Sequence, residues 1–428
     1  MTTTETTTRE LLRFATAGSV DDGKSTLVGR LLHDTKSVLA DTLAAVERAS
    51  RAKGLEAADL ALLTDGLRAE REQGITIDVA YRYFSTLNRS FILADTPGHV
   101  EYTRNMVTGA STAELALVLV DARHGIVEQT RRHAAAAALL GVRHLALAVN
   151  KMDLVDFDEG VFDSICAEFD EIAKSLGVDD VVAIPLSALQ GDNVVARSSH
   201  TPWYSGPTLL EHLEAVPVGE NPELSPLRFP VQYVLRPRDD EFHDHRSYAG
   251  RVAHGLVRVG DTVTVLPSGR ITTVAAIDGL DGPLDFAFAP QSVALRLADD
   301  IDISRGDLIA AADEAATPSQ DLVGDVCVLS DRQIVSGDRV LVRHGTRTVR
   351  AKVAAVTARL DLTTLESSPY DGPLSVNDIG RLTLRLAEPV AADDYGQLRR
   401  TGAFLLLDDQ EGSTLAAGMA VAARCLRG

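Results

Sequence analysis

Between the apolar run Phe14–Ala17 and an amphipathic stretch that opens near Lys24, the chain reads Gly18-Ser19-Val20-Asp21-Asp22-Gly23-Lys24-Ser25-Thr26. The spacing Gly-x4-Gly-Lys-Ser admits few folds. It calls for a strand running into a glycine-rich turn that leads straight into a helix. Successive backbone N–H groups and the positive helix end then face one anion. Lys24 adds a point charge for β- and γ-phosphates, and the Ser25 hydroxyl is a hard oxygen ligand suited to Mg²⁺. The bland alternative is a glycine turn that merely joins strand to helix. Strand, loop, Lys-Ser and helix in the right order argue against it, so a nucleoside triphosphate ligand is expected.

That unit predicts the architecture around it. Apolar runs at Phe91–Ala94, Leu115–Val120, Leu145–Val149 and Val181–Leu186 alternate with helical stretches such as Glu128–Leu140 and Phe162–Leu176. Such alternation gives a mostly parallel sheet with helices on both faces and ligands at the carboxyl ends of its strands. From Arg228 the helical period fades. Short alternating segments take over, among them Val257–Leu266, Ile271–Ile277, Thr348–Ala355 and Arg381–Leu386, with a turn at Pro267-Ser268-Gly269. They predict antiparallel barrels or sandwiches. The expected plan is a tail over 1–12, an α/β domain over 13–217 and a Pro-rich link over 218–227. Two β-domains follow, 228–312 and 321–428, separated by a polar link over 313–320.

Composition narrows the partners. Forty-two basic against 61 acidic residues leave a net charge of −19, which argues against a broad nucleic-acid surface. Cys166, Cys327 and Cys425 are far apart and match no metal-ligand spacing, so they read as buried hydrophobes in a reducing compartment. The Thr-rich start has no apolar core for a secretion signal, and no apolar run approaches the ~20 residues that span a bilayer. The expected setting is the cytoplasm, with no membrane and no nucleic acid.

The remaining motifs sit at strand ends. Asp95-Thr96-Pro97-Gly98-His99 follows Phe91–Ala94; its carboxylate suits Mg²⁺, and the Gly98 N–H suits a terminal phosphate. Asn150-Lys151-Met152-Asp153 follows Leu145–Val149. A carboxylate there accepts from guanine N1–H and the exocyclic amine, a donor pair adenine lacks. The Asn braces the loops and the Lys stem lies over the base. Ser187-Ala188-Leu189 offers a backbone N–H to guanine O6. Together these motifs indicate GTP. Upstream, Arg71-Glu-Gln-Gly-Ile75-Thr76-Ile-Asp78 places Thr76 to reach Mg²⁺ and the γ-phosphate, as a segment that orders with GTP and relaxes with GDP.

The set Gly-x-Val-Asp-x-Gly-Lys-Ser, Gln-Gly-Ile-Thr-Ile, Asp-Thr-Pro-Gly-His and Asn-Lys-Met-Asp resembles the GTPases of the translation-factor class. The resemblance implies that His99 orients the hydrolytic water and that Val20 and Ile75 form a hydrophobic gate in front of it. It also suggests that Asp21 helps hold a monovalent cation. A finer likeness runs through Gly29-Arg-Leu-Leu-His-Asp-Thr35, Ile77-Asp-Val-Ala-Tyr-Arg-Tyr-Phe84, Tyr102–Ser111 and Gln129-Thr-Arg-Arg-His133. It continues in Pro202-Trp-Tyr-Ser-Gly-Pro-Thr208, Arg228–Tyr233, His344–Arg350, Asn377-Asp-Ile-Gly380 and Ala416-Ala-Gly-Met419. These are similar to the large, GTP-hydrolysing subunit of bacterial sulfate adenylyltransferase.

The likeness implies one GTPase domain followed by two β-barrels. It implies that a separate small catalytic subunit binds ATP and sulfate and makes adenosine 5′-phosphosulfate, in a heterodimer or an assembly of heterodimers. GTP hydrolysis here would drive that uphill reaction. The loop 239–247 departs from the pattern; its His243 and His245 read as solvated rather than as metal ligands. No second phosphate loop follows, so no adenylylsulfate kinase activity is expected. The rival readings are a translation factor delivering aminoacyl-tRNA, marked by steeply salt-dependent RNA binding, and a GTP-sensing scaffold without hydrolysis.

Overall fold

The computed structural model describes residues 10–38, 40–52, 59–63, 79–96, 103–219, 224–236, 246–361, 364 and 366–421. The chain divides into two compact units. The first runs to Gly219 and takes in Asp361–Glu366; the second holds the rest.

The first unit is built on six strands: β1 (Leu11–Ala17), β2 (Ala80–Ser85), β3 (Ser90–Asp95), β4 (Leu115–Asp121), β5 (His144–Asn150) and β6 (Val181–Pro185). Their order is β2-β3-β1-β4-β5-β6. All neighbours are parallel except β2, which runs antiparallel to β3 on one edge. Every residue of β4 is buried, as a central strand covered on both faces requires. The helices are α1 (Lys24–Asp34), α2 (Ala40–Ala52), α3 (Thr103–Ala110), α4 (Glu128–Leu139), α5 (Glu159–Ser175) and α6 (Leu209–Ala215).

Two hydrophobic layers hold the helices to the sheet. On one face Leu27 and Leu31 of α1 and Leu213 of α6 pack with Phe14, Leu117 and Ile184. On the other, Phe162, Ile165, Phe169 and Ile172 form one stripe of α5 against Val118, Val120 and Leu147. The ends are chemically fixed. Asp158 caps α5 by accepting from Val161 N–H at 2.8 Å. Thr208 and Glu211 form a reciprocal capping box on α6. The α/β expectation is met, with each element ending within a few residues of its predicted bound.

In the second unit each β-domain closes into a ring. The first ring passes through Arg228–Leu235, Ser247–Arg251, Ser292–Leu297, Arg270–Gly279, Thr262–Leu266 and Leu308–Ala311, back to its start. The second passes through Arg339–His344, Ala403–Asp408, Thr414–Ala420, Ser319–Val328, Ile379–Val390 and Arg347–Leu360. Closure removes the free sheet edges. One sequence expectation needs correction: Val257–Leu266 is not a single strand. Leu256–Arg258 pairs apart from the ring with Phe286–Phe288. The chain turns at Gly260 (φ +96°), where Asp261 accepts from Arg258 N–H at 2.7 Å, before entering Thr262–Leu266.

The two rings meet through a buried polar joint. Arg228 donates to both carboxylate oxygens of Asp393, from Nε at 2.9 Å and Nη2 at 2.8 Å. Nη2 also reaches the Glu314 carbonyl, and Thr401 Oγ1 donates to Asp393 at 2.6 Å. Both charged side chains are almost wholly excluded from solvent, at 3% and 7% exposure.

Candidate nucleotide site

The loop between β1 and α1 wraps through backbone shapes that glycine supplies. Gly18 has φ +153° and Gly23 has φ +91°. A Cβ on Gly23 would lie 2.5 Å from Asn150 Nδ2. Inside the turn, Ser19 N–H donates to Asp22 Oδ2 at 2.5 Å. Lys24 folds back over the loop, its Nζ donating to the carbonyls of Gly18 and Ser19 at 2.8 Å each. Burial lowers the Lys24 pKa; the carboxylates of Asp95, Asp22 and Asp21 oppose that and favour the charge. Asp22 is pushed up by burial, against the pull of the Ser19 N–H and Lys24. No acidic residue stands in the first turn of α1, which leaves its positive end without a side-chain anion of its own. Ser25 and Thr26 are half-buried in that turn, while Val20 is 40% exposed and Asp21 is exposed on the outer rim.

Parallel register brings the next group alongside. Thr16 of β1 pairs with Asp95 of β3, and its Oγ1 donates to Asp95 Oδ1 at 2.9 Å. Thr96 is fully buried and donates to the Thr16 carbonyl. Asp95 and Ser25 are hard oxygen donors of the kind Mg²⁺ prefers, and the buried Asp95 carboxylate lies close enough to Lys24 to raise its proton affinity. Among the described residues no three His, Cys, Asp or Glu converge as a metal centre. Ile75, Thr76, Pro97, Gly98, His99, His243, His245 and Cys425 lie outside the described residues. Burial pushes the thiols of Cys166 and Cys327 up to about 12, so neither is a nucleophile near neutral pH.

On the base side, β5 and the loop after β6 are tied to the phosphate loop. Asn150 Nδ2 donates to the Asp22 carbonyl at 2.7 Å, and its Oδ1 accepts from Ala188 N–H at 3.0 Å. Lys151 donates to the Asp21 carbonyl at 2.5 Å and pairs with Asp121 at 2.9 Å. Met152 is buried as the anchor of the turn, and no hydrogen bond engages the half-exposed Asp153 carboxylate among the described residues. Trp203 Nε1 braces the far end of this loop by donating to the Phe157 carbonyl at 3.2 Å.

Two residues of the site were not singled out from the sequence. Asp121 ends β4 directly beside Asn150. Burial alone would raise its pKa, but hydrogen bonds from Arg123 and Lys151 outweigh that and hold it far below the usual carboxylate range. A carboxylate closing the apolar run Leu115–Val120 was the available signal, by the same strand-end rule that found Asp95.

The second is His133 on α4, whose Nδ1 accepts the Gly18 N–H at 3.1 Å. Protonation would convert that acceptor into a donor. Burial first, then Lys24 and Arg132, pull His133 from 6.5 down to about 3. The unfolded chain therefore takes up the extra proton between those values. Stability is complete above pH 6.5 and falls as the pH drops toward 3, by up to about 1.4 kcal/mol per pH unit for one group. His212 and His344, also lowered by burial, act in the same direction. His133→Gln retains an acceptor that does not titrate. Its melting temperature is expected to fall less steeply than the parent's between pH 6.5 and 4; an identical slope would contradict this assignment.

Comparison with known proteins sets this geometry in context. The domain family described as Elongation factor Tu GTP binding domain matches residues 9–219, and GTP-eEF1A C-terminal domain-like matches residues 322–421. The protein named Bifunctional enzyme CysN/CysC of Mycobacterium tuberculosis is 56% identical over 96% of this chain and 67% of its own length. Proteins named Sulfate adenylyltransferase subunit 1 are 50% identical in Cellvibrio japonicus and 47% identical in Aliarcobacter butzleri. Each alignment covers 96% of this chain and 87% of the relative. The solved structure of Sup35 complexed with GMPPNP aligns over 96% of this chain and 94% of its own at 24% identity and a TM-score of 0.44, too distant to bear on function. Among the described residues no helix is long and apolar enough to cross a membrane.

Proposed function

The chain belongs to the sulfate adenylyltransferase subunit 1 family, and on that premise we propose that it binds and hydrolyses GTP to drive adenylylsulfate synthesis by a separate small subunit. One observation carries the reading. The phosphate loop, the Asp95 carboxylate and the Asn150–Asp153 turn lie at the carboxyl ends of parallel strands; Asn150 staples the base-side loops to the phosphate loop, and Thr16 of β1 holds Asp95. A loop that grips phosphates is thereby fixed to a loop whose free carboxylate suits guanine.

The roles follow from the chemistry. Loop N–H groups and Lys24 hold the β- and γ-phosphates, and Asp153 accepts from guanine N1–H and its amine. Ser25, Asp95 and Thr76 are the oxygen donors for Mg²⁺, which when bound supplies positive charge to the phosphate oxygens. Gly98 N–H meets the terminal phosphate. His99 orients the attacking water once the hydrophobic gate of Val20 and Ile75 admits it. The segments carrying Thr76 and His99 are the ones that sense the γ-phosphate. Coupling requires that their two states differ in how they hold the partner. ATP and sulfate belong to that partner, in the cytoplasm. The proposed domain limits are 13–217, 228–312 and 321–428, apart from the two residues by which β1 (Leu11–Ala17) and the strand Ser319–Val328 each begin earlier.

The test is co-expression with the cognate small subunit and an assay of adenylylsulfate with and without GTP. GTP is expected to raise the yield severalfold. Unchanged yield and unchanged assembly would contradict the reading.

A further inference from the structure

We propose that Arg30 is a positioning residue for the nucleobase: its guanidinium fixes the Ala188–Leu189 peptide so that the Leu189 N–H faces the purine 6-oxygen. The inference rests on the guanine reading above. It identifies which N–H meets the base and what aims it.

The N–H groups of the Ser187–Gly191 loop can be accounted for one by one. Ser187 N–H donates to the Asp192 carbonyl at 3.3 Å, and Ala188 N–H is taken by Asn150 Oδ1 at 3.0 Å. Gln190 N–H donates to Ser187 Oγ at 3.2 Å, and Gly191 N–H to the Ser187 carbonyl at 2.7 Å. Leu189 N–H has no acceptor among the described residues. An oriented backbone donor left open beside the Asn150–Asp153 turn is what a carbonyl oxygen of a bound base needs.

Arg30 sets its direction. From α1, Nε donates to the Ala188 carbonyl at 3.1 Å and Nη2 donates to the Leu189 carbonyl. The Ala188 carbonyl and the Leu189 N–H belong to one planar trans peptide, so they point in opposite directions. Holding the carbonyl against Arg30 turns the N–H away from α1. Two donors of one rigid fork pin two consecutive carbonyls, a geometry that a lysine point charge does not reproduce. Arg30 is itself steadied by Asp34, one turn along at 3.7 Å, and its side chain is 20% exposed.

The experiment compares GTP with two analogues by equilibrium titration of the full chain. 6-Thio-GTP keeps the N1–H and 2-amine but replaces O6 with a poorer acceptor. ITP keeps O6 and N1–H but lacks the 2-amine that Asp153 reads. The parent is expected to prefer GTP over both. In Arg30→Met, GTP affinity should fall about three- to tenfold, the worth of one neutral hydrogen bond. The preference for GTP over 6-thio-GTP should shrink toward unity while the preference over ITP holds. Arg30→Lys should fall between the two. Affinity lost equally for all three nucleotides would mean that Arg30 merely supports the fold, and unchanged affinities would also overturn the proposal. A parent that does not prefer GTP over ITP would instead overturn the guanine reading beneath it.

Discussion

Gly23→Ala is expected to weaken GTP binding by about a hundredfold or more. At φ +91° an alanine is strained by roughly 1–2 kcal/mol. Its Cβ would also stand 2.5 Å from Asn150 Nδ2. Asn150 cannot swing aside cheaply, because that amide bonds the Asp22 carbonyl through Nδ2 and the Ala188 N–H through Oδ1. Breaking either bond leaves a buried polar group unpaired, at about 1–3 kcal/mol. The loop escapes by leaving the conformation in which its N–H groups converge, and a bound nucleotide must then restore it. Roughly 3 kcal/mol in total gives the stated factor. Titration with a fluorescent GTP analogue checks it, with circular dichroism to verify the fold. Affinity within threefold of the parent would show that this loop geometry does not govern binding.

Asp393→Ala is expected to destabilise the second unit by about 3–5 kcal/mol, because it strands the buried Arg228 guanidinium between the two rings. Thr401 Oγ1 loses its acceptor as well. In a thermal scan the β-barrel transition should fall by on the order of 10 °C. The double variant Arg228→Met with Asp393→Ala should recover much of the loss, since it removes the unpaired charge rather than exposing it. A single variant that melts with the parent would show that the pair adds no stability to this joint.

The sequence made some of these features legible and hid others for definable reasons. Gly18–Ser25, Asp95 and Asn150–Asp153 could be read because each follows an apolar strand at once, so one-dimensional spacing reports three-dimensional convergence. Asp121 obeyed the same rule, but a lone carboxylate without neighbouring Gly, Pro or Asn carries no motif. His133 stood in a stretch that carried the family likeness, but its role could not be read: it contacts Gly18 across 115 residues, and on paper it is one more position of a helix. The barrels were predictable as β-structure but not strand by strand. Thr414–Ala420 is rich in Ala and Gly, and Ser319–Val328 is interrupted by two Asp and a Gly, residues of low strand propensity that closure of the ring overrides. Gly260 broke an alternation that otherwise reads straight through it.

The central claim is that this site selects guanosine triphosphate. Isothermal titration of the purified chain, with Mg²⁺ present, against GTP and ATP in parallel measures it directly. The account predicts a single saturable site for GTP and ATP affinity lower by at least about a hundredfold, two lost hydrogen bonds at Asp153 being worth roughly that much when one partner is charged. Equal binding of the two nucleotides, or no heat of binding with GTP, would contradict it.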